Sequence, residues 1–116
     1  MDISKNLIAA SATPLVLAIL KNQDSYGYEI IKKIKEASDD EIIWSEGMLY
    51  PVLHRLEDKG FIKSYWKKSK IGRKRKYYYL KEKGLNELKK CKKQWEVVHS
   101  TLFEEIYKTD HKNGGK

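Results

Sequence analysis

The spacing of apolar positions changes along this chain, and each change marks a new element. From Leu7 to Leu20 (LIAASATPLVLAIL) nearly every residue is apolar, which predicts a buried helix from about Ile3 to Leu20. Thr suits an N-cap and Pro a first helical position, so Thr13-Pro14 predicts a kink or a restart within it. Ser25 is a good N-cap for a second helix that runs to about Ala37. Its Ile30, Ile31 and Ile34 share one face, with Lys32, Lys33 and Lys35 elsewhere. Gly27 weakens the first turn of that helix, and a close helix crossing there would account for it. After the acidic turn Asp39-Asp40-Glu41, the short run Ile42-Ile43-Trp44 reads as a strand stub or a buried connector.

The next helix is expected from Ser45 to Gly60, with Leu49, Val52, Leu53 and Leu56 at i, i+3, i+4 and i+7 as its buried stripe. Its other side presents Gly47, Tyr50, Pro51, His54 and Arg55. The ring of Pro51 would press on the carbonyl of Gly47, and the missing side chain there is expected to relieve the strain. Two strand-like runs follow, Phe61 to Trp66 and Lys76 to Leu80, separated by the nine residues KKSKIGRKR with Gly72 available for a turn. They predict a β-hairpin with a basic tip. A last helix, from about Glu82 to Tyr107, carries Leu85, Leu88, Cys91, Trp95, Val98 and Leu102 at steps of 3, 3, 4, 3 and 4, a coiled-coil-like seam.

Charge sharpens this outline. The chain has 116 residues and a formal net charge of +8, which suits one small domain with some polyanionic partner. Residues 1–66 are net −2, residues 67–83 net +8 and residues 84–116 net +2. The excess therefore sits on one stretch, the expected hairpin. A single cysteine excludes an internal disulfide framework and fits a reducing, cytoplasmic compartment. The fourteen-residue apolar run is too short for a bilayer, and Lys21-Asn22-Gln23-Asp24 after it does not resemble a signal-peptide cleavage site, so neither membrane span nor secretion signal is expected. Cys91, His54, His99 and His111 fall at no compact metal-ligand spacing, and no nucleophile–base pair or phosphate-cradling glycine loop appears. Neither an enzyme nor a metal or cofactor protein is expected.

Three helices followed by a two-stranded hairpin make a winged helix-turn-helix. The fold class is thus mainly α with a small β-hairpin, extended by a long C-terminal helix. Residues 1–81 form the expected DNA-binding domain, 82–108 the dimerisation helix, and 109–116 a flexible tail. A helix enters the major groove of double-stranded DNA while the wing's cations sit over phosphate or reach toward the minor groove. Lys67, Lys68, Lys70, Arg73, Lys74, Arg75 and Lys76 supply that wing, with Arg73 and Arg75 the first candidates for groove or bidentate phosphate contacts. A charge run usually means only a solvated face; here its place between two strands favours nucleic acid.

The sequence also resembles a known family, the PadR-like transcriptional regulators. Tyr26-Gly27-Tyr28-Glu29-Ile30 is similar to the family's second-helix opening, and Ser45 through Gly60 (SEGMLYPVLHRLEDKG) to its recognition-helix signature. Gly72 through Leu80 (GRKRKYYYL), with Glu82 and Gly84, resembles its wing and return strand. One departure is Lys81, where the family usually has a Thr cap worth about 1 kcal/mol. The resemblance implies a cytoplasmic homodimer that binds a palindromic operator as a repressor. It places Ser45, Tyr50, Pro51 and His54 on DNA together with wing residues Arg73 and Lys74; Lys70 and Arg75 join them from the basic run. It makes the last helix the dimerisation element, through Leu88, Cys91, Trp95, Val98 and Leu102. The chain length is similar to the short-tailed, lactococcal multidrug-binding branch, in which a Trp on the last helix stacks on planar drugs between subunits, and Trp95 lies at the matching place. A small hydrophobic or planar aromatic effector would then contact Trp95, whose bland alternative is a packing role in the seam. Two other classes stay open: an effector-independent RNA- or DNA-binding winged helix, and a protein-interaction module that uses the long helix.

Overall fold

The computed structural model describes the backbone of residues 1–114 and the side chains of residues 1–108. Helix α1 spans Lys5–Asn22, with Ser4 as its N-cap: the Ser4 Oγ accepts a 3.2 Å hydrogen bond from the Leu7 amide. The expected restart at Thr13-Pro14 does not occur. Pro14 lies inside one continuous helix, where burial of Ala12, Val16, Leu17 and Leu20 offsets the missing backbone donor.

The second helix also begins differently. Ser25 and Tyr26 form a two-residue strand, β1, and α2 runs Gly27–Ala37 behind it. Ser25 does not cap this helix. It is fully buried, its Oγ donates to the Gln23 carbonyl at 3.0 Å and accepts from Lys33 Nζ at 3.0 Å. Residues 42–44 form no strand; of them Trp44 is buried in the core, so this run is a connector.

Helix α3 covers Glu46–Asp58, and Ser45 caps it by accepting from the Met48 amide at 3.3 Å. Gly60, with φ 76°, ends the turn after it. The hairpin strands are longer than the sequence implied, with β2 at Ile62–Lys68 and β3 at Lys74–Leu80. Only residues 69–73 form the tip. The sheet order is β1-β3-β2, all antiparallel, with Ser25 opposite Tyr78 and Trp66 opposite Lys76. The core gathers Val16, Leu17, Leu20, Ile30, Ile34, Trp44, Leu49, Leu53, Leu56, Ile62 and Tyr78 from the three helices and the sheet.

Helix α4 spans Glu82–Gly114, past the expected end near Tyr107. Its first turn leans on the chain just before β2. A Cβ on Gly84 would overlap the Phe61 carbonyl and come within 2.7 Å of Leu80 Cδ1. The absent Thr cap at 81 is met by this packing, with the Lys81 amide donating to the Phe61 carbonyl at 3.0 Å. The first half of α4 packs along α1, and the rest projects, giving extents of 67 × 29 × 21 Å. The tail expected at 109–116 has its side chains, and for 115 and 116 its backbone too, outside the described residues.

Candidate nucleic-acid interface

Helix α3 turns Leu49, Val52, Leu53 and Leu56 into the core and leaves Ser45, Gly47, Tyr50, Pro51, His54 and Arg55 exposed. All four helix residues singled out from the sequence therefore share the outer side of one helix. The expected role of Gly47 is corrected: a Cβ there would meet only Ser45 Oγ, at 3.8 Å. Relief of Pro51 does not require it. The glycine that matters for packing is Gly27, where an added Cβ would fall 2.9 Å from Tyr50 Oη and 3.7 Å from Leu49 Cδ2. The starts of α2 and α3 cross at that point, so Tyr50 is held against α2.

The strand alternation sorts the wing into two faces. Ile62, Ser64, Trp66 and Lys68 stand opposite Leu80, Tyr78, Lys76 and Lys74, and because Ile62 and Tyr78 are buried, this face looks toward the helices. Ser64 Oγ donates to Glu57 Oε2 of α3 at 3.0 Å, fixing the approach of wing to helix. Trp66, Lys74, Lys76 and Tyr78 then line a cleft with Tyr28, Glu46 and Tyr50. Trp66 is 67% exposed, and Lys76 Nζ lies 5.6 Å from the Tyr78 ring centroid. Burial pushes the Tyr78 hydroxyl up to about 12, with the Glu57 carboxylate adding to it.

The opposite face is an aromatic layer. Tyr65 stacks on Tyr77 at 5.7 Å and lies 5.9 Å from Tyr79, while Tyr26 meets Tyr77 edge-on at 5.3 Å. Tyr65 Oη donates to Asp24 Oδ2 at 2.8 Å, and this bond above all raises its hydroxyl to about 12. Arg75 belongs here. Its guanidinium carbon is 4.5 Å from the Tyr26 ring centroid and its Nη1 donates to Tyr26 Oη at 3.0 Å.

The basic residues named from the sequence thus part company. Lys74 faces the recognition helix, Lys70 and Arg73 stand exposed at the tip, and Arg75 lies on the far face, tied to Tyr26. The tip is a compact turn: the Ser69 amide donates to the Arg73 carbonyl at 2.7 Å, the Arg73 amide to Ser69 Oγ at 3.2 Å, and Gly72 adopts φ 84°. Sequence reasoning missed Trp66 altogether and left Lys76 out of the candidate site. Both were within reach of period-two counting from Ser64 and Lys74, had the strands been drawn to full length.

On α4 the seam divides. Cys91 is buried and Leu88 packs on the core within this one chain, and burial, helped by Glu87, raises the Cys91 thiol. Trp95 is 37% exposed and borders a hollow of about 250 Å³ with Ser11, Pro14, Ala18, Leu88 and Lys92. Val98 and Leu102 are more than half exposed, as are Val97 and Phe103 beside them. Among the described residues no helix is long and apolar enough to cross a membrane, and no three His, Cys, Asp or Glu side chains are grouped to hold a metal.

A capped helix with a polar outer side, flanked by a basic wing, defines a winged helix-turn-helix of the DNA-binding class. The model of the PadR-like transcriptional regulator family matches residues 16–90, so the chain belongs to that family of DNA-binding transcriptional regulators. An uncharacterized Lysinibacillus sphaericus protein is 31% identical over 100 residues, which is 86% of this chain and 92% of that one. A transcriptional regulator from Clostridium thermocellum superposes with a TM-score of 0.80 at 32% identity, over 88% of this chain and 96% of its own. A PadR-like transcriptional regulator from Bacillus cereus gives 0.78 at 30% identity, over 88% and 97%.

Proposed function

We propose that this protein is a cytoplasmic homodimeric repressor that binds a palindromic operator. Residues 1–81 read DNA and residues 82–108 join the two copies. The observation that carries the reading is the cleft in which Trp66, Lys74 and Lys76 of the wing face Glu46 and Tyr50 of α3. With α3 in the major groove, Ser45, Tyr50, Pro51 and His54 meet base edges or sugars, and Lys70, Arg73 and Lys74 meet the flanking phosphates. Dimerisation draws its support from the exposed Val97, Val98, Leu102, Phe103 and Ile106 on α4, an apolar surface of the kind that marks an interface. Two copies would place their recognition helices about 34–36 Å apart on one face of the duplex.

Release by a small hydrophobic or planar aromatic effector rests on Trp95 and its hollow. Such an effector would favour a dimer whose helix spacing no longer fits the operator. The deciding experiment selects bound fragments from the source genome and measures the recovered duplex against random duplex at fixed salt. A repressor binds its palindrome at least about a thousandfold more tightly; equal affinity, or a preference for RNA, would sink the reading. In the same assay Arg73→Ala/Lys74→Ala should weaken binding across sequences and reduce the slope of log K against log salt by about 2.

A further inference from the structure

A second groove lies on the other flank of α3, away from the wing. Its volume is about 550 Å³ and its walls are Ile8, Ala9 and Ala12 of α1, Trp44 of the connector, and Met48, Pro51 and Val52 of α3. That size falls within the range of small-molecule sites, roughly 300–1,000 Å³. Lys5 and Arg55 complete the lining. Lys5 is the only cation in the first sixteen residues of α1, and Arg55 is the only Lys or Arg within α3. Both are exposed, and neither takes part in an ion pair or hydrogen bond. The two elements thus bring their isolated cations to the same apolar cleft. No acidic side chain lines it. Trp44 is 4% exposed and its Nε1 has no hydrogen-bond partner, so the groove's largest ring presents hydrocarbon there with an unmet donor close by.

An apolar trough with a doubly cationic rim selects an occupant with a hydrocarbon body and one anionic head. We propose that the α1–α3 groove binds a small amphipathic carboxylate, its chain along Ile8, Trp44 and Val52 and its head between Lys5 and Arg55. Arg offers a planar fork to the carboxylate and Lys a second point charge. The site is separate from the Trp95 hollow, which uses Ser11, Pro14 and Ala18 on a different face of α1. An occupant here touches α3 itself. Binding at this groove stands whether or not the operator reading does, because it is measured without DNA.

Octanoate is the probe, read in the full-length Trp66→Phe/Trp95→Phe protein, in which Trp44 is the remaining tryptophan. Trp44 emission should change saturably with Kd below about 1 mM, a free energy of about −4 kcal/mol. Octanol, with the same chain and no charge, should bind about tenfold more weakly or worse. Lys5→Gln/Arg55→Gln, both surface changes, should lower octanoate affinity about tenfold and leave octanol binding as it was. The proposal is overturned by an unsaturable response, by equal affinity for the alcohol, or by undiminished octanoate binding in the double variant. A groove closed by a second copy of the chain would give the first of these results.

Discussion

Two glycines carry opposite kinds of consequence. Gly84 abuts the Phe61 main chain, which has little room to yield, so Gly84→Ala should cost about 1–3 kcal/mol, seen as a lower urea midpoint. Gly27 abuts the end of the Tyr50 side chain, which can swing away. Gly27→Ala should therefore leave the urea midpoint within about 1 kcal/mol of wild type while weakening operator binding, because Tyr50 loses its seat. The propensity cost of Gly27 made a crossing legible in the sequence; nothing local distinguished the need at Gly84, which depends on a backbone twenty-three residues away. Tyr78 adds a pH dependence. Its hydroxyl rises from about 10 unfolded to about 12 folded, so its contribution is complete below pH 10 and lost as pH climbs through 12. On the order of 2 kcal/mol is at stake, and denaturant midpoints from pH 9 to 12 should flatten in Tyr78→Phe.

The elements were largely readable because α2, α3 and the hairpin carry strong periodic patterns. What escaped was non-local. Strand β1 is two residues long, too short to show a period, and exists through pairing with β3 about fifty residues later. Ser25 consequently passed for a helix cap. Pro14 signalled a break that the burial of Val16 and Leu17 overrides. In the wing, a run of lysines hid where the strands stop, and with it the two-faced division of the basic residues. That division is testable. Lys74 faces the cleft and Arg75 is held by Tyr26 on the far side, so Lys74→Ala should weaken operator binding more than Arg75→Ala does. Equal losses in a gel-shift titration would mean that DNA touches both faces.

The radius of gyration is 17.4 Å, against about 13 Å for a compact chain of this length, and the projecting half of α4 accounts for the excess. On the proposed dimer, Val98→Asp/Leu102→Asp should yield monomers by sedimentation velocity with the helical content of the remaining fold retained. Operator affinity should fall with it, since each half-site alone is held by a single recognition helix. Strand β1 ties the start of α2 to the wing through Ser25 and Tyr78, while Gly84 presses the start of α4 against the chain beside β2. The reading head and the root of the long helix are thereby welded together. Thirty-three helical residues measure roughly 50 Å, so a pivot of about 10° at the far end would sweep the head through about 9 Å, a mechanical advantage that converts slight rearrangement near the joint into loss of step with the duplex.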